Sequence, residues 1–293
     1  MIPFTKAIAS AVLGASLTFT SLSNAAPLKI DAFNPGSKSI FPVTSTLIMG
    51  PSEALLIDAQ FQRDDAQTLL KMIRDSGKDL KTIYISHGDP DFYFGLDVIT
   101  DAYPDAKVLA SPTTLAHITK TIDRKVSYWG PILGKNAPQK IIVPEVIKGN
   151  SLSVDGERLE IIGLNGHDPK HTFVWMPSVK TIAGGVNIFE GMHVWMADTQ
   201  TPESRAKWLK NLDDMLALNP NRIIPGHVMG KSNENVQSIA FTRTYVSLFE
   251  TEAAKASNSA ELIQAMKSHY PDFTNNLVLE LSAKVLKGEM QWP

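Results

Sequence analysis

Apolar residues along this chain fall into two alternating periods. Short runs rich in branched side chains, residues 43–49, 54–57, 82–85 and 106–110, predict strands. Between them, residues 64–76 place Ala66, Leu69, Leu70 and Ile73 at helical spacing, and Gly77 follows as a stop signal. Residues 96–103 give a second helix. Strands alternating with helices predict an α/β fold. Residues 31–42, polar and rich in Pro, Gly and Ser, read as an irregular entry arm.

The middle of the chain is less regular. Residues 113–123 predict a helix, followed by the aromatic loop Tyr128-Trp129-Gly130-Pro131, which either lines a substrate pocket or folds back onto the core. Short strands return at 151–154, 158–162, 172–176 and 179–183, with Asp155-Gly156 as a hairpin turn. Residues 202–218 predict a helix with Thr201 as N-cap and Pro202 at its first position. One more strand, 222–224, ends at Pro225-Gly226-His227. Residues 233–256, 259–268 and 275–286 all carry helical periodicity, which predicts a helical C-terminal extension packed on the α/β body.

Composition narrows the class. The 293 residues are 43% hydrophobic and 20% charged with a formal net charge of −2, which argues against a nucleic-acid or anionic-membrane partner and leaves a small molecule as the expected one. Lys6, the apolar stretch 7–22 and the small residues Ser23-Asn24-Ala25 read as a signal peptide cleaved near Ala25, so the mature chain is expected in the periplasm or outside the cell. No stretch beyond it is expected to span a membrane. With no cysteine, the chain has neither disulfides nor thiolate ligands. The expected organisation is a signal peptide at 1–25, a body at 26–230 and the helical extension at 231–293.

Candidate chemistry concentrates where strands hand over to loops. Ser86-His87-Gly88-Asp89-Pro90-Asp91-Phe92 follows the run 82–85 and carries one imidazole and two carboxylates at alternate positions. That nitrogen and oxygen donor set suits zinc or iron. His167, in Asn165-Gly166-His167-Asp168-Pro169, and His227 occupy similar loops. His171 reads as the start of a strand, and His117 and His269 as surface residues on helices.

The order of these loops resembles the metallo-β-lactamase-fold superfamily of hydrolases over about residues 43–230. His87, Asp89, Asp91 and Phe92 stand in the register of its His-x-His-x-Asp-His loop, and His167 and His227 at its later ligands. Gly185-Val186 stands at its Gly-Asp loop, and Asp58 where a carboxylate supports the first metal loop. The resemblance implies an αββα sandwich. The departures are Asp89 for the second His, Phe92 for the last His and Val186 for the bridging Asp. They imply one metal, zinc or else iron, on His87, Asp89 and His167, with Asp91 as the catalytic acid/base and Asp91 and His227 as remnants of a second site. Asp58 and His193 are expected behind the ligands, His193 alternatively packing beside Trp195.

The expected function is metal-dependent hydrolysis of a small ester, lactone, thioester, amide or phosphoester by metal-activated water. The alternatives are a non-catalytic ligand-binding protein on a degenerate hydrolase scaffold, for which Phe92 and Val186 argue, and a mononuclear iron protein that binds oxygen.

Overall fold

A computed structural model describes Met1 and residues 27–292. The signal peptide expected at 1–25 lies, apart from Met1, outside the described residues. The first sheet holds β1 (Lys29–Phe33), β2 (Ser45–Met49), β3 (Glu53–Ile57), β4 (Asp79–Ile85), β5 (Lys107–Ala110) and β6 (Glu145–Val146), in that spatial order. β1, β2 and β3 pair antiparallel, and β3 to β6 are parallel. Parallel neighbours need crossovers. These are α1 (Arg63–Asp75), then the short α2 (Pro90–Tyr93) with α3 (Leu96–Ala102), then α4 (Pro112–Leu133).

The second sheet is built from β7 (Ser151–Val154), β8 (Glu157–Ile162), β9 (Phe173–Met176), β10 (Thr181–Ala183) and, beyond a small pair, β12 (Arg222–Ile223), in the order β12-β10-β9-β8-β7. The small pair is β11 (Phe189–Glu190) with β13 (His227–Val228). Asp155 and Gly156, both at positive φ, turn the β7–β8 hairpin. The remaining helices are α5 (Pro202–Ala217), α6 (Val236–Lys255), α7 (Ser259–His269) and α8 (Asn276–Leu286).

Strand alternation divides the core in two. Ile48, Leu55, Ile57 and Tyr84 of the first sheet meet Leu152, Leu159, Ile161, Val174 and Met176 of the second. The opposite faces, through Leu47, Leu56, Ile83 and Ile85 on one side and Phe173, Ile182 and Ile223 on the other, join the cluster that holds the helices. Two sheets between helical layers make the αββα sandwich. The C-terminal helices share the same cluster through Tyr245, Phe249, Leu262, Met266, Leu279 and Ala283. Among the described residues, no helix is long and apolar enough to cross a membrane.

Two expectations are corrected. The entry arm is partly a strand: β1 pairs with β2 from Lys29↔Met49 to Phe33↔Ser45, because an edge strand needs pairing on one side and little burial. The aromatic loop at 128–131 is helix. α4 runs unbroken through Gly130 and Pro131 to Leu133, with Thr114, Ile118, Thr121, Lys125, Trp129 and Leu133 buried along one face. Burial of that face outweighs the two breakers, and Pro131 falls in the last turn.

Candidate active site

Asp58, His87, Asp89 and Asp91 lie in the segments that follow β3 and β4, beside the loop that follows β10. Asp58 follows β3 with φ at +63°, a left-handed conformation that non-glycine residues seldom adopt. Its carboxylate accepts hydrogen bonds from the Ser86 backbone N–H at 2.8 Å and the Ser86 hydroxyl at 2.6 Å. Ser86 Oγ in turn accepts from the Gly185 N–H at 2.7 Å, so this buried carboxylate ties the loop after β4 to the loop after β10. Burial pushes Asp58 up to about 8, against the pull of the Ser86 hydrogen bonds.

Beyond Ser86 the chain presents His87, Asp89 and Asp91, each less than a tenth exposed. Gly88 lets α4 close over this loop: a Cβ there would lie 2.6 Å from the His117 ring. The approach delivers Lys125. Its side chain is 2% exposed, and its Nζ donates to Asp89 Oδ1 at 3.1 Å. Burial acts to raise the Asp89 carboxyl, but Lys125, His117 and His87 outweigh it and hold the group well below the usual carboxylate range. Burial likewise opposes the charge on Lys125, and Asp89 and Asp198 more than restore it. Asp89 and Lys125 are a buried ion pair.

Asp91 has a different partner. The Nε2–H of His227 donates to Asp91 Oδ2 at 2.8 Å. Burial raises Asp91, against the opposing effect of His227. The His227 ring stacks on Phe189 at 4.6 Å between centroids, and its buried Nδ1 has no hydrogen-bond partner. Phe92 stands edge-on to His87 at 5.1 Å and to His227 at 5.5 Å, and so separates the two imidazoles with an apolar ring.

Asp89, Asp91, Lys125 and His227 border a narrow cleft with room for about 30 Å³ of solvent. Its other walls are apolar, chiefly Phe41, Trp129, Val186, Phe189 and Trp195. Trp292 reaches it from the C-terminal segment, stacking edge-on to Trp195 at 5.0 Å, with Lys125 Nζ 4.8 Å from its ring centre. A second cavity, of about 50 Å³, lies on the other side of the loop and is lined by His87, His117, His171 and Asp198 among others. His87 is uncharged there, because burial lowers it to about 3. Burial and the nearby Asp89 carboxylate raise Asp198 to about 6.

The three-donor set expected from the sequence does not assemble. His167 has a side chain 45% exposed and faces Asp214 at 4.0 Å. His171, four residues on, takes the interior place instead. It is buried with its ring 6.0 Å from that of His87, stacks on Trp208, and its Nδ1–H donates to Asp168 Oδ2 at 2.6 Å. His117, expected on the surface, is only 24% exposed at its side chain and lies 6.4 Å from His87 between ring centres. His193 is not behind the ligands. It is fully buried, bonded through Nδ1 to the Tyr245 hydroxyl at 2.9 Å and packed on Phe273, where it anchors the C-terminal helices.

Lys125 is not among the residues singled out from the sequence, and lysine side chains are seldom fully buried. The available signal was its place in the series Ile118, Thr121, Lys125, Trp129, stepped by three to four residues, which puts a cation on an otherwise uncharged face.

The side chains present do not fit a metal ion in this arrangement. Among the described residues, no three His, Asp or Glu side chains stand where they could hold one. Asp89 is engaged by an ammonium and Asp91 by an imidazole, and Phe92 and Val186 offer no donor.

The family description that matches this chain is that of the metallo-β-lactamase superfamily, over residues 40–227. No curated protein matches the sequence. Among solved structures, a metallo-β-lactamase from Pontibacter korlensis is 14% identical, with a TM-score of 0.55 over 76% of this chain and 96% of its own. The DIM-1 metallo-β-lactamase is 18% identical, with a TM-score of 0.51 over 76% and 98%. A double mutant of the sec-alkyl sulfatase PisA1 is 16% identical, with a TM-score of 0.58 over 84% of this chain and 48% of its own. At these identities the likeness is one of fold.

Proposed function

Because the chain belongs to the metallo-β-lactamase superfamily, we propose that it is a hydrolase of a small, uncharged acyl compound, an ester, lactone, thioester or amide, bound in the aromatic cleft. Membership supports a metal-dependent hydrolase in general. The substrate class is read from this chain's own residues. The observation that carries it is the Asp91–His227 pair at the border of an otherwise apolar cleft. Apolar walls beside two carboxylates favour a neutral substrate and disfavour a phosphoester dianion, which has no matching cluster of positive charge.

The pair supplies acid/base chemistry. Asp91 accepts the Nε2–H of His227 and thereby leaves the lone pair on Nδ1, the buried nitrogen without a partner. A water that reaches Nδ1 when the site opens gives up its proton as its oxygen adds to the acyl carbon, and the imidazole later returns that proton to the leaving group. Asp91 orients the ring and stabilises the imidazolium that forms in between. Phe41, Trp129 and Trp195 take up the apolar body of the substrate and exclude bulk water.

The test is turnover of an aryl ester, a lactone, a thioester, an anilide and an aryl phosphate by the mature protein, beside Asp91→Asn and His227→Gln. Expected are hydrolysis of at least one acyl compound, none of the phosphate, and a loss of about 10²–10⁴-fold in kcat in each variant. Binding of these compounds without turnover of any would replace this reading with that of a ligand-binding protein.

A further inference from the structure

The metal chemistry of the family and the residues of this chain disagree, and the disagreement has a definite form. Where the resemblance expects a ligand, Asp89 faces an ammonium carried in by α4. Phe92 fills the space between His87 and His227. Each carboxylate and imidazole bordering the cleft already has a partner within the protein, apart from the His227 Nδ1. A divalent ion beside Asp89 would sit against the Lys125 ammonium, whose side chain is 2% exposed.

We infer that Lys125 is the resident positive charge of this site, taking the electrostatic place of a metal ion and polarising the acyl oxygen of the substrate. Three features carry this. The ammonium is held between the Asp89 carboxylate and the face of Trp292. It borders the same cleft as the Asp91–His227 pair. Of its three N–H groups, Asp89 engages one, which leaves donors for a carbonyl oxygen.

This deepens the hydrolase reading and rests on it for the catalytic part. As the oxygen of water bonds to the acyl carbon, its proton passes to His227 Nδ1 and the carbonyl π pair moves onto oxygen. The Lys125 N–H groups stabilise that oxyanion. The pair then returns, the bond to the leaving group breaks, and the leaving group takes the proton from His227. Lys125 keeps its own proton throughout. A fixed donor aimed at developing charge in a dry site is the general basis of such stabilisation.

The experiment uses mature protein purified without an affinity tag, saturated with zinc, iron or manganese and dialysed. Metal per chain is read by plasma mass spectrometry and Tm with and without chelator, for wild type, Lys125→Met and Lys125→Met with Asp89→Asn. Expected are substoichiometric metal in wild type and a Tm indifferent to chelator. Lys125→Met should melt lower, and Asp89→Asn in that background should restore most of the loss. With a substrate in hand, both variants should lose about 10²–10³-fold in kcat with little change in KM. Stoichiometric metal in wild type, with a Tm that falls on chelation, would overturn the inference. So would a Lys125→Met protein with unchanged Tm and kcat. If Lys125→Met does not fold, the uncharged double variant carries the test. Failure of the hydrolase reading would show as absent turnover, and the metal and melting results would stand apart from it.

Discussion

Lys125 on α4 and Asp89 after β4, 36 positions apart in the chain, meet at 3.1 Å inside the protein and lock the helix to the candidate site. A pair this buried contributes little against an apolar alternative, yet breaking it is costly, because one charge is left without a partner. Asp89→Ala should therefore destabilise the fold by about 3–5 kcal/mol in urea denaturation, far more than an exposed pair such as Lys71 with Asp75. A loss below about 1 kcal/mol would mean that the ammonium finds water, against its near-complete burial.

His167 and His171 separate the sequence expectation from the structure. His167→Ala should change stability by no more than about 0.5 kcal/mol and leave turnover intact, since its side chain is half in solvent. His171→Ala removes a ring stacked on Trp208 and strands the Asp168 carboxylate, and should cost about 1–3 kcal/mol. The opposite ranking would restore His167 to the site.

Asp58 makes stability depend on pH. Its folded value, about 8, lies above the ordinary 3.8, so the fold is favoured when the group is protonated. Its contribution is complete below about pH 4 and is lost progressively as pH rises from 3.8 to about 8. Asp58→Asn can still accept from the Ser86 N–H and can donate to Ser86 Oγ. That variant should fold, and the fall in stability across this window should flatten. Chemical denaturation at pH 5 and pH 8 gives the comparison. An unchanged slope would assign the pH dependence to another group.

Gly88→Ala tests how closely α4 approaches. The added Cβ would meet the His117 ring at 2.6 Å, so ring and helix must retreat. A cost of about 1–3 kcal/mol is expected, with a fall in turnover as Lys125 is displaced. Full activity would show that the loop and helix are not tightly coupled.

Trp292 bears on substrate binding more than on folding. It touches Trp195, Trp129, Tyr128 and the Lys125 ammonium at the cleft. Trp292→Ala should change KM several-fold while costing about 0.5–1.5 kcal/mol of stability. A large loss of Tm with an unchanged KM would make this ring part of the core alone.

Much of the fold was legible because its signals are local. The β4 strand announces itself in Ile83-Tyr84-Ile85, and the Asp155-Gly156 turn in its two residue types. The loop carrying His87, Asp89 and Asp91 was legible for the same reason, since three functional side chains stand within five positions. The partners of those residues were not. Lys125 reaches Asp89 because α4 continues past residue 123, with its buried face running on through Trp129 and Leu133. The choice between His167 and His171 turns on the path of one loop, where Asp168 holds His171 inward and leaves His167 in solvent. Periodicity carries no information about either.

The central claim is that this cleft works with its own side chains, an ammonium and a carboxylate–imidazole pair. The most direct measurement is the turnover of the best acyl substrate by protein stripped with a strong chelator, before and after adding back zinc, iron or manganese. The account predicts the same kcat and KM in every state. Activity that vanishes on stripping and returns with one of these ions would contradict it.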